Sequence, residues 1–339
     1  MRTGKVWLWG LAGAGAVWAA KQLIRQRRKM DFRGKTVVIT GGSRGLGLVL
    51  ARQLAEAGAN IALCARDIQE LERAKQQILP YNPLVLTYPC DITDRDQVNT
   101  FISDVIQVFG KIDVLINNAG IILVSPLQHL TDADFRESMD TNFWASYYTV
   151  NAVLPHMRRQ GMGRIVNIAS FGGKVSVPHL LPYSVSKFTL VGYSEGLRTE
   201  LRSDNILVTT VCPGLMRTGS PRNATFKGQH DKEYAWFKIG DSLPFLAMDA
   251  EESARQILDA CRHGDAELII SWPAKLANAI HGLMPNLTAE ALTLVNDWLP
   301  EPGGIGEERR QGKESETALS ASPLARLTDE AAVVNNEDY

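Results

Sequence analysis

Seven short runs of β-branched and aliphatic residues, separated by stretches of helical pattern, constrain this 339-residue chain more than any other feature. They are "KTVVIT" (Lys35 to Thr40), "NIALCA" (Asn60 to Ala65), "PLVLTY" near Leu84, "IDVLIN" (Ile112 to Asn117), "GRIVNIAS" (Gly163 to Ser170), "ILVTTV" (Ile206 to Val211) and "ELIIS" (Glu267 to Ser271). Alternation of this kind is the sequence form of a parallel sheet wound with helices. The expected fold is α/β: a single Rossmann-like, doubly wound parallel sheet of about seven strands with helices on both faces, over residues 30–272. Helices are expected from the end of the first strand to about Ala57, and over 94–109, 131–159 and 181–203. Spaced apolar residues such as Leu276, Ile280, Leu283 and Trp298 predict short amphipathic helices in 273–300. Residues 301–339 are rich in Glu, Ser, Ala and Asn and are expected to be disordered, with too little apolar surface to offset ordering entropy.

Ahead of the first strand, Val6 to Ala20 holds fifteen residues without a charge, followed by five basic residues between Lys21 and Lys29. A helix of that length spans roughly 22 Å, and with Lys21 snorkelling it extends to Ile24 and about 28 Å, close to the hydrocarbon thickness of a bilayer. Trp7, Trp9 and Trp18 sit near its ends, and the heavier basic flank follows it. Residues 1–29 therefore read as an N-terminal membrane anchor that leaves the rest of the chain cytoplasmic. A cleaved signal peptide would meet opposition from the basic cluster, and a surface helix would need a polar face that the segment lacks. Cys64, Cys90, Cys212 and Cys261 are far apart with no C-x-x-C pair, which favours buried free thiols in a reducing compartment. A net charge of about −1 argues against a nucleic-acid partner, and the six histidines show no metal-binding spacing.

Between the first strand and the first helix lies "TGGSRGLG", whose Gly41, Gly45 and Gly47 read G-x-x-x-G-x-G instead of the common G-x-G-x-x-G. Backbone N–H groups and the positive helix end at such a junction suit a phosphate. "NNAG" (Asn117 to Gly120) closes the fourth strand, Ser170 the fifth, and Tyr183 with Lys187 follows as Y-x-x-x-K. A phenol with a pKa of about 10 is a poor acid or base at neutral pH unless something stabilises its anion. Lys187 lies one helical turn on from Tyr183, so its charge is expected to lower the tyrosine pKa. Ser170, at a strand's carboxyl end, lies where open sheets bind ligands and can stabilise a developing oxyanion.

In this order TGGSRGLG, NNAG, Ser, Y-x-x-x-K and "PG" (Pro213, Gly214) resemble the short-chain dehydrogenase/reductase family over about residues 34–272. The resemblance implies Tyr183 as acid/base, Lys187 on the nicotinamide ribose, Ser170 polarising the substrate, and Asn142 supporting a proton-relay water. It also implies cofactor contacts from Gly41, Ser43, Arg44, Gly45, Leu46 and Gly47 in the first turn. Further contacts are implied from Asp91 to the adenine, from Asn117, Ala119 and Gly120 at the next turn, and from Pro213, Gly214 and Thr218 beside the nicotinamide. Dimers or tetramers are a family expectation.

The end of the second strand, "LCARD", places Ala65 where NAD sites usually carry an acid. Arg66 follows, and with Arg44 it can clamp a 2′-phosphate, so NADP(H) is favoured over NAD(H). A one-residue shift would instead restore Asp67 as the ribose acid. The long segment from Leu215 to Asp249 holds Phe226, Tyr234, Trp236, Phe237, Leu243, Phe245 and Met248, and is expected to be a lid for a bulky apolar carbonyl, lipid- or sterol-like. It also contains a second Y-x-x-x-K, Tyr234 to Lys238, read as pocket wall because no strand-end serine precedes it. His179 is a further pocket candidate with a structural alternative. A membrane-tethered NADP(H)-binding regulator and a sugar-nucleotide epimerase or dehydratase are the competing functions.

Overall fold

The computed structural model describes residues 15, 18–81 and 84–338. Its central sheet contains β1 (Thr36–Thr40), β2 (Asn60–Ala65), β3 (Val85–Pro89), β4 (Val114–Asn117), β5 (Gly163–Ile168), β6 (Ile206–Pro213) and β7 (Glu267–Ile270). Their spatial order is β7-β6-β5-β4-β1-β2-β3, and every neighbouring pair is parallel. The expected seven-stranded α/β sheet is thus present. Side chains alternate across it: Val37, Ile39, Ile61 and Leu63 enter one core, while Val38, Ala62 and Cys64 enter the other.

Helices close both faces. Leu48 and Leu54 of α1 (Gly45–Glu56) and Ile257 of α8 (Ala250–His263) cover the first core. Val98 and Phe101 of α3 (Arg95–Phe109) and Val150 and Val153 of α5 (Ala145–Gln160) cover the second. The expected helix over 131–159 is broken into α4 (Asp132–Met139), a π-helical turn at Asp140–Trp144, and α5. Asp67 caps α2 (Ile68–Ile78) and Asp94 caps α3, each accepting two backbone N–H bonds, whereas no side chain caps α1. Strand order reverses between β1 and β4, where Thr40 pairs with Asn117, so the crevice above their carboxyl ends is the topological switch point.

The lid is not a loop. Between Met216 and Asp249 the chain makes short strand pairings and α7 (His230–Ser242), with Phe226, Tyr234 and Phe237 packed in a core of their own. Downstream, α9 (Trp272–Leu283) and α10 (Pro285–Asn296) realise the short helices expected there.

The segment expected to be disordered is ordered through residue 338. Arg310–Gln311 pairs antiparallel with Thr225–Phe226, and α11 (Arg326–Val334) packs on α7. Its docking rests on charge rather than apolar area: buried Lys238 bonds Glu316 and Asp329, and Arg309 bonds Asp134 and Glu137. Apolar content alone could not reveal this, because the complementary charges lie in distant parts of the sequence.

Most of the expected anchor, including residues 6–14, lies outside the described residues. Residues 18–27 are helical, and Arg25 pairs with Asp259 and Asp265. Among the described residues no helix is long and apolar enough to cross a membrane.

Candidate active site

The glycine turn is shaped by close approach. Gly41 has φ +61°, and a methyl group on it would stand 2.8 Å from Ala119 Cα. A methyl on Gly47 would overlap the Gly41 carbonyl oxygen, so Gly47 serves packing and does not face the cavity. Gly45, at φ +54°, opens α1, whose N-terminus, without a side-chain cap, faces the crevice. The first-turn N–H groups and the helix dipole there favour an anion, so the residues present fit a dinucleotide diphosphate.

Beyond the turn, Ala65 ends β2 and Arg66 is exposed at the cavity edge. Asp67 lines the cavity as well, with one carboxylate oxygen taken up by the N–H groups of Gln69 and Glu70. Arg44 is not free either. Its guanidinium pairs with Glu70 (2.8 Å) and Glu337 (3.4 Å), and Ser43 Oγ also donates to Glu70. Asp91 lines the cavity and accepts from Thr93 N–H and Oγ1. Asn117 does not reach the cavity: its amide bonds Thr149 and Asn167 beneath the strand ends. The next residue, Asn118, takes that position and donates to the carbonyls of Thr40 and Gly41, tying the two turns together. The doubled asparagine of NNAG was the available signal for it.

Ser170, Tyr183 and Lys187 converge on the same cavity, of about 960 Å³. Ser170 stands at the end of β5, and its Oγ accepts from Gly172 N–H. Tyr183 and Lys187 project from the first turns of α6 (Leu181–Glu200). Gly172 lets the tyrosine ring approach, since a methyl there would stand 3.3 Å from Tyr183 Cε1. Burial pushes the phenol above its ordinary pKa, and its hydrogen bond with Ser170 pulls it back. The expected lowering by Lys187 is not the operating cause. Lys187 Nζ lies 5.6 Å from the ring centroid, donates to the Ile168 carbonyl (2.9 Å), and is itself held down to about 8 by burial.

Asn142 is fully buried in the π-helical turn. Its amide accepts from Ile121 N–H and donates to the Ile121 carbonyl and Ser186 Oγ, so its side chain fixes the NNAG turn against α6. Gly120 is required beside it, because a methyl there would meet Asn142 Oδ1 at 2.8 Å and Lys187 Nζ at 3.3 Å.

Trp236 and Phe237 of α7 form part of the opposite wall, with Val177 and Leu180. Tyr234 is fully buried behind them, its hydroxyl unpartnered among the described residues, so the second Y-x-x-x-K belongs to the lid core. His179 also faces away from the cavity: its Nδ1 contacts Glu233, which Trp236 bonds as well. Pro213, Gly214 and Thr218 line the cavity. Two buried carboxylates in its wall had no sequence signal, Asp241, held up to about 8, and Glu337, held up to about 7, both mainly by burial.

A family profile described as short chain dehydrogenase matches residues 35–227. The dehydrogenase/reductase SDR family protein 7-like of Drosophila melanogaster is 34% identical over 271 residues, covering 77% of this chain and 80% of that protein. The dehydrogenase/reductase SDR family member 7B of Mus musculus is 33% identical, covering 83% and 86%. Among solved structures, NAD+-bound xylitol dehydrogenase superposes with a TM-score of 0.62 at 29% identity, over 71% of this chain and 99% of that one. An actinorhodin polyketide ketoreductase variant with NADPH gives 0.63 at 28%, over 70% and 95%.

Proposed function

The chain belongs to the short-chain dehydrogenase/reductase family, an oxidoreductase of CH–OH and C=O groups, and from that premise we propose an NADP(H)-dependent reductase of bulky hydrophobic ketones or aldehydes. One observation carries this reading: Ser170, Tyr183 and Lys187 share a single cavity with the glycine turn at one end and lid aromatics at the other. A nicotinamide dinucleotide, when bound there, would supply the hydride. Tyr183 gives its hydroxyl proton to the substrate oxygen, and Ser170 hydrogen-bonds that oxygen as negative charge builds on it. Lys187 would hold the nicotinamide ribose, and Asn142 keeps the NNAG turn and α6 in register beneath it.

NADP(H) is preferred because Arg44 and Arg66 border the adenosine end, while Asp67 beside them gives one carboxylate oxygen to capping α2. A 2′-phosphate must exchange with Glu70 on Arg44. The lid wall of Trp236, Phe237, Val177 and Leu180 supports a bulky apolar substrate. The uncharged stretch Val6 to Ala20 supports an anchor with the catalytic domain on the cytoplasmic side. An NADPH-oxidation screen over hydrophobic ketones and aldehydes tests the activity, with Tyr183→Phe as the control. No turnover of any carbonyl by a protein that binds NADPH would favour the regulator reading instead.

A further inference from the structure

The ordered C-terminal segment ends on the glycine turn. Gly45 N–H, the first donor of α1, donates to the Asn335 carbonyl at 2.8 Å. Asn336 Nδ2 donates to the carbonyls of Ser43 (2.8 Å) and Glu70 (3.1 Å), and Asn335 Nδ2 to that of Thr218 (3.3 Å). Glu337 is 5% exposed and enters the cavity wall. One of its oxygens lies 3.4 Å from Arg44 Nε and 2.6 Å from Asn223 Nδ2, and a methyl on Gly45 would stand 2.5 Å from the other.

We infer that residues 335–338 are an internal ligand of the dinucleotide site, with the Glu337 carboxylate at the phosphate subsite formed by Gly45 and Arg44, so that cofactor binds by displacing them. This rests on reading the glycine turn as the dinucleotide site. One N–H group and one guanidinium edge cannot serve the tail and a phosphate together at full strength. A buried carboxylate against the turn would also repel an incoming diphosphate, whose own charge would be poorly screened there. The contacts to be broken are polar, among them Arg52 donating to Asn335 Oδ1, Arg73 to Asn336 Oδ1 and Asn223 to Glu337, and a diphosphate brings more charge to the Gly45 and Arg44 donors. The charged groups around Glu337 are Arg44, Glu70 and, from the lid, Asp241; Asp338 pairs with Arg222 at the outer edge. Competition of this kind reduces apparent cofactor affinity by the fraction of molecules with the tail released.

The test uses the full chain, with NADPH as the probe. Hydrogen exchange is followed in 41–47 and in 330–338 on adding NADPH, and its Kd is measured for the wild type, Glu337→Ala and the Asn336→Ala/Glu337→Ala double variant, which remove the side-chain contacts themselves. The expected result is protection of the turn with faster exchange in 330–338, and binding tighter by at least threefold in the single variant and about tenfold in the double. Unchanged or slower exchange in 330–338 while the turn is protected would overturn the inference, and so would unchanged or weaker binding by both variants. A turn left unprotected in every protein, with no NADPH binding, would instead sink the dinucleotide reading, and the inference with it. The wild-type exchange result stands even if a variant folds poorly.

Discussion

Tyr183 and Tyr234 each stand four residues before a lysine, and only their surroundings separate them. Tyr183 faces the cavity beside Ser170, whereas Tyr234 is enclosed with Phe226 and Phe237. Tyr183→Phe is expected to lower kcat/KM by about 10²–10⁴-fold, the usual weight of a general acid, with NADPH affinity little changed. Tyr234→Phe removes a buried hydroxyl that has no partner among the described residues, so stability should stay level or rise and turnover should persist. Steady-state kinetics and thermal melts of the two variants check both outcomes. Lys187 supplies a sign-defined test. Burial lowers its folded pKa to about 8 from 10.5, so between those values the unfolded chain binds more protons. Its charging penalty is complete below pH 8 and is relieved as pH rises through that window. Denaturant midpoints of the wild type relative to Lys187→Met should therefore improve from pH 8 to 10.5. Residue types at these positions were legible from spacing. That Ser170 and not Lys187 opposes the burial of the phenol was not, because it depends on where two side chains end.

At the scale of elements, Asp67 decides between two readings of the second strand's end. Its carboxylate caps α2, so Asp67→Ala should cost about 1 kcal/mol of stability and leave the ratio of kcat/KM for NADPH and NADH unchanged. A marked shift of that ratio would return Asp67 to the ribose. The strands were readable because β-branched runs buried on both faces leave a continuous apolar signature. The π-helical turn at Asp140–Trp144 was not, since one extra residue in a helix leaves no periodic mark over so short a span. Nor was α7 readable inside the lid, where aromatic residues serve the lid's own core as well as the cavity.

At the scale of the whole molecule, the tail joins the lid, α4 and the glycine turn. Glu337 has a folded pKa held up to about 7 from 4.5, so the docked tail binds the extra proton between those values. Docking should weaken as pH rises through that window, and exchange protection of 330–338, corrected for intrinsic rates, should be greater at pH 5 than at pH 8. The expected NADPH preference belongs to this scale too, because Arg44 and Arg66 come from different βα units that only the sheet brings together. A kcat/KM at least tenfold higher with NADPH than with NADH is expected. So is recovery of the protein in a membrane pellet that detergent, not salt, releases.

The sequence by itself determined the parallel sheet, the glycine turn and the Ser170, Tyr183 and Lys187 set, because burial pattern and motif spacing are local properties of the chain. Tertiary structure alone decided that Asn117 lies beneath the site and Asn118 in it, that Asp67 is a helix cap, and that Asp241 and Glu337 enter the cavity wall. Each of these outcomes depends on polar groups paired across long stretches of sequence. Such a pairing leaves no periodicity, and its strength comes from burial that only the completed fold provides.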